Sequence, residues 1–97
     1  MFDVRYNGLR LIPSKSAANE LAEYRLMIED CKEILEKGYL QRIRKKGTLE
    51  MWKDFGDKTY NVVVVKSFNY LYNEEVYLII HIGAFTKKSK KSLGEKQ

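Results

Sequence analysis

Two short apolar runs, Tyr60–Val65 (YNVVVV) and Val76–Ile82 (VYLIIHI), dominate the hydrophobic pattern of the chain. Both are too short for a typical core helix. Both are rich in Val, Ile and Tyr, whose branched or aromatic side chains suit a pleated surface. A polar stretch, Ser67–Glu75, lies between them, which predicts a long antiparallel hairpin at the centre of a sheet. Period-two alternation puts Val76, Leu78, Ile80 and Ile82 on one face of the second run and Tyr77, Ile79 and His81 on the other. Each face carries apolar residues, so both are expected to be at least partly covered.

The earlier segments read as material packed on or beside this hairpin. Phe2–Tyr6 and Leu9–Ile12 flank Asn7-Gly8, a pair that tolerates the positive φ of a tight turn; they form a short hairpin or one bent strand. Pro13 ends the second arm because it has no N–H to give a ladder. Ser14 or Ser16 then caps a helix, with Glu20 and Glu23 placed toward the positive end of its dipole. Ala17, Ala18, Leu21, Ala22 and Arg25 repeat at helical spacing, and Ile28, Cys31, Ile34 and Leu35 form a second set. We expect two helices meeting near Leu26–Met27, the second closed by Gly38 in a left-handed conformation. After Gly38 the pattern changes to strands, Tyr39–Arg44 and Leu49–Phe55, around a loop of Lys45, Lys46, Gly47 and Thr48, with a further turn at Gly56-Asp57-Lys58. The sum is an α+β domain over residues 1–86, two N-terminal helices packed on a twisted antiparallel sheet of four to six strands. Residues 87–97 lack an apolar pattern and read as a basic disordered tail.

A chain of 97 residues is one domain, and 44% hydrophobic content is enough for one modest core. A lone cysteine, Cys31, excludes an intramolecular disulfide and fits a reducing compartment. No signal-peptide pattern and no apolar run near membrane-spanning length occur, so the expected site is the cytoplasm, without membrane contact. Abundant Lys, Glu and Tyr with few Gln suit a thermophile. The formal charge of +5 is unevenly placed: residues 42–46 and 87–97 each carry +4, while the rest is slightly acidic. Two positive clusters on a nearly neutral body suit phosphate, as nucleic acid or as an anionic surface.

The order of elements, the stretch Ser16–Gly38 (SAANELAEYRLMIEDCKEILEKG) and the later YNVVVV and YLIIHIG resemble the RelE-like superfamily of small ribonuclease toxins (the RelE/barnase/colicin type). The likeness covers roughly residues 10–86 and is nearest a branch whose first helix opens His-Ala-x-x-Arg. Here Ser16-Ala17 stands at His-Ala, Glu20 at the first Arg and Tyr24 at a second Arg of that helix. The resemblance implies the fold and, in its active members, metal-independent endoribonuclease chemistry by basic and polar side chains. The departures at 16, 20 and 24 put that chemistry in doubt for this chain, since a carboxylate at 20 repels RNA.

Among individual residues, Arg42, Arg44, Lys45 and Lys46 are the first candidates for nucleic-acid binding. Arg42 and Arg44 are two apart on an expected strand and share a face, and the two lysines carry the charge into the loop. Tyr39 and Trp52 offer stacking surfaces nearby. The plain alternative is a solvated edge strand whose charge discourages aggregation. The tail lysines Lys87, Lys88, Lys90 and Lys91 read first as a solubilising terminus. His81 is the only histidine, and it and Tyr60 are the proton carriers to consider, although a hydrogen-bonded structural role suits a histidine inside an apolar strand. Cys31 reads as a buried small residue, and no zinc, phosphate-loop or Ser-His-Asp pattern calls for a metal or cofactor. Two functions follow. One is an RNA-interacting RelE-like protein, with cleavage degraded or rearranged. The other is a non-enzymatic protein that pairs through a sheet edge with itself or with an antitoxin-like segment.

Overall fold

The computed structural model describes residues 3–43 and 47–86, and only the backbone of 41–43. The chain runs β1 (Arg5–Tyr6), β2 (Leu9–Pro13), α1 (Lys15–Tyr24), α2 (Ile28–Lys37), β3 (Tyr39–Ile43), β4 (Thr48–Phe55), β5 (Lys58–Asn69) and β6 (Glu74–Thr86). The strands form one six-stranded sheet in the order β1-β2-β6-β5-β4-β3. The β5–β6 hairpin is its central pair. Its strands reach further into the polar stretch than the apolar runs do, leaving Tyr70–Asn73 as the turn.

The sheet is mixed, where an antiparallel one was expected. β2 lies parallel to β6, with Arg10 opposite Val76 and Pro13 opposite Ile79. Asn7 and Gly8 both take positive φ, so β1 folds back on β2 as a tight hairpin, and that hairpin is delivered to the far side of β6. The parallel ladder stops at Pro13. The next N–H, of Ser14, still donates to the Ile79 carbonyl at 2.9 Å, and the Ser14 hydroxyl accepts from Ala17 N–H at 3.1 Å. One serine thus ends the strand and caps α1.

Two helices form, as expected, because Arg25 takes a left-handed conformation (φ 59°) and ends α1. The Asp30 carboxylate accepts from the Met27 N–H at 2.7 Å and starts α2. Ala17 and Leu21 of α1 and Cys31, Ile34 and Leu35 of α2 are buried against Leu11, Val62, Val64, Tyr77, Ile79 and Ile82. A large aliphatic side chain in such a core is worth about 2–5 kcal/mol against alanine.

Three local readings are corrected. Glu20 sits mid-helix and Glu23 near the end, and the first turn of α1 holds no acid. Gly38 is extended (φ −79°), not left-handed; a β-carbon there would strike the Ile34 and Trp52 carbonyl oxygens. Close approach of the end of α2 to β4 is what requires glycine. Finally, β6 does not alternate evenly. Val63 faces His81 while Val64 faces Ile79, so Ile80 is an extra, bulged residue. The bulge moves Ile82 onto the helix-covered face with Tyr77 and Ile79, and leaves His81 on the other face.

Candidate functional site

The face of the sheet away from the helices is set by register. Across β4, β5 and β6 it presents Glu50, Trp52 and Asp54, then Val63, Asn61 and Thr59, then His81, Gly83 and Phe85. Tyr39 of β3 stands opposite Trp52 and is about half exposed. Trp52 and Phe85 come from strands on either side of β5, and their rings stack across it. The planes are 2° apart and the centroids 5.0 Å apart. Beneath this bridge Thr59 and Asn61 are buried, an unusual fate for polar residues on a sheet face that no helix covers.

The buried polar groups are tied together. Glu50, itself buried, accepts at Oε2 from Trp52 Nε1 at 2.9 Å and from Asn61 Nδ2 at 3.1 Å. Thr59 donates to Asp54 at 2.8 Å. The carboxylate of Glu50 therefore fixes the Asn61 amide, because only the NH2 end can donate to it. The opposite end, Asn61 Oδ1, is out of reach of solvent and, among the described residues, accepts no hydrogen bond. It lies against Gly83, in the space where any side chain would project.

His81 borders this cluster and is half exposed, with Nε2 about 3.4 Å from the position a β-carbon of residue 83 would take. Its Nδ1 lies 3.2 Å from Oε2 of Glu20 on α1, while Oε1 of the same carboxylate accepts the Ile82 N–H at 2.8 Å. Past Ile79, β6 has lost β2 as a neighbour, and Glu20 fills part of the vacated edge. The acid that looked wrong for RNA thus satisfies a strand N–H and orients the histidine. Tyr24 has its phenol pushed above the usual range by burial first and then by Glu23 and Glu20, so it stays protonated near neutrality.

The remaining sequence candidates fall in different places. Trp52 is on the open face, as a stacking role requires. Tyr60 is on the helix side, half-buried and edge-on to Phe55 at 5.6 Å, so the sheet separates it from His81. Arg42 stands opposite Glu50 in the β3–β4 register, next to an irregularity between Leu40 and Arg42. Arg44, Lys45, Lys46 and the tail lysines Lys87, Lys88, Lys90 and Lys91 lie outside the described residues. Cys31 is fully buried, and burial raises its thiol to about 12. No group of three or more metal-ligating side chains occurs among the described residues, and no helix there is long and apolar enough to cross a membrane.

Sequence reasoning missed Glu20 as a partner of His81, Phe85 as the partner of Trp52, and the trio of Glu50, Asn61 and Gly83. Only the identity of a buried-strand asparagine, Asn61 within YNVVVV, offered a signal. Comparison with known protein families, with curated proteins and with solved structures found no match.

Proposed function

We propose that this protein binds RNA across the open face of its sheet, as a RelE-like protein whose cleavage chemistry is rearranged or lost. The observation that carries the reading is the partly exposed Trp52–Phe85 stack with His81 beside it on the same face. Aromatic platforms of this kind hold unpaired bases with little sequence preference. Arg42 stands in register with Glu50 of that face, and Arg44, Lys45 and Lys46 follow it in the sequence as further cations for the phosphates. If the protein cleaves RNA, the step needs no metal: His81, held by Glu20 at Nδ1, carries the proton at Nε2. Ser16, Glu20 and Tyr24 in place of histidine and arginines argue for weak activity or none.

Anisotropy of labelled single-stranded RNA against salt tests the binding. Arg42→Gln with Arg44→Gln lowers the logarithmic salt slope by about 1.4, at roughly 0.7 per lost phosphate contact. An unchanged slope removes the basic strand from the account, and absence of binding removes RNA. Incubation of structured RNA with the protein in EDTA reads cleavage directly.

A second reading rests on β3. This edge strand exposes Tyr39 (48%) and Leu40 (51%), an arrangement suited to strand addition by a second copy or an antitoxin-like segment. A doubled mass in sedimentation, lost on Leu40→Lys, together with no RNA binding, would put this reading first.

A further inference from the structure

The Trp52–Phe85 stack covers an acceptor that has nothing to accept. Asn61 is 4% exposed, its NH2 is committed to Glu50, and among the described residues nothing donates to its Oδ1. A buried carbonyl in that condition is destabilising relative to one that accepts a hydrogen bond. Gly83 provides a side-chain-free position against it, and Nε2 of His81 stands on the same patch. The two rings over it are held unequally. Trp52 is anchored by its Nε1 bond to Glu50, whereas Phe85 is 47% exposed, on a stretch of β6 beyond its pairing with β2.

We infer that an unpaired nucleobase takes the place of the Phe85 ring on the Trp52 indole and donates its exocyclic amino group to Asn61 Oδ1. This rests on the RNA reading and adds to it a site that selects amino-bearing bases. The phenyl ring already lies parallel to the indole, in the position of a stacked base. The orphaned oxygen supplies the demand for a donor, and a base edge that can only accept leaves it unsatisfied.

The test uses the full chain, in which Trp52 is the only tryptophan, so its emission reports this position alone. Three short RNA strands are compared: all abasic sugar-phosphate, the same with one central adenosine, and the same with one central purine riboside, which lacks the amino group. The expected result is that adenosine quenches Trp52 and binds about tenfold tighter than purine riboside, with the abasic strand weakest and without quenching. Asn61→Leu abolishes the difference between the two bases. Equal affinities for adenosine and purine riboside in the parent chain overturn the inference whether or not the variant folds. Binding of ordinary single-stranded RNA without quenching also overturns it, while leaving the RNA reading in place. Failure of ordinary RNA to bind at all overturns both.

Discussion

Gly83→Ala tests the packing of the polar cluster without reference to any ligand. Gly83 is not in the left-handed region, so alanine fits its backbone, and the nearest contacts of the new methyl are side chains: the Asn61 carboxamide, overlapping Oδ1, and His81 Nε2 at 3.4 Å. His81 is half exposed and can move aside. Asn61 cannot, because its Nδ2 is bonded to buried Glu50 at 3.1 Å. Relief requires either giving up that bond, about 1–3 kcal/mol, or displacing β6, a similar cost for an overpacked site. Against this, replacing glycine at a compatible position gains about 0.4–1 kcal/mol through the unfolded chain. The expected net loss is about 1–2 kcal/mol, a fall in Tm of about 5–15 °C for a chain of this size. In an Asn61→Ala background the obstacle is gone, and Gly83→Ala becomes neutral or stabilising. Urea unfolding of the four proteins of this cycle gives a coupling of about 2 kcal/mol, with unchanged m-values. Equal effects of Gly83→Ala in both backgrounds, within about 0.5 kcal/mol, would refute the contact.

Gly38→Ala is expected to be worse, at about 2–4 kcal/mol, because its methyl strikes two backbone carbonyls and no side-chain change can rescue it; urea unfolding measures it. Glu20→Ala is expected to cost about 1–2 kcal/mol, and Glu20→Gln about half as much because the amide oxygen still accepts the Ile82 N–H; the same titration separates them. For Cys31, with its thiol raised from 9.0 to about 12 by burial, the native state keeps a proton that the unfolded chain loses from about pH 9 upward. Its contribution is complete below pH 9 and is lost as pH rises toward 12, at no more than about 1.4 kcal/mol per pH unit. Cys31→Ala makes the decline in urea stability over that window shallower, and a thiol reagent leaves native Cys31 unmodified at pH 8 while labelling the unfolded chain.

Local chemistry made much of the fold legible. The Asn7-Gly8 turn, the Ser14 cap, the helix break near Leu26 and the β5–β6 pair all depend on residues close in sequence, where propensity and periodicity act. The parallel seat of β2 did not, because nothing in Leu9–Pro13 distinguishes one edge of the hairpin from another. A single bulged residue, Ile80, defeated the alternation beyond it, and so misassigned the face of Ile82. The candidate site was legible only at Trp52 and His81. The partner of His81, Glu20, accepts the Ile82 N–H at its other oxygen, a bond spanning 62 residues, and Gly38 looked like a helix stop because its true neighbour, the Trp52 carbonyl, comes from another strand.

The parallel seat of β2 also sets an order of events. Its cross-strand partners are distant, as in the bond from Arg10 to Glu74, 64 residues further along. During synthesis β1 and β2 leave the ribosome first, yet their place does not exist until β6 has followed. Leu11, Ala17 and Leu21 then have no Ile79 or Ile82 to pack on, and the hydrophobic face of α1 stays open to other molecules for that interval. Closing so long a loop is slow compared with forming the β5–β6 hairpin. The segment from β1 to α1 is therefore the part that most needs protection by chaperones while the rest is being made, and the part whose docking completes the domain.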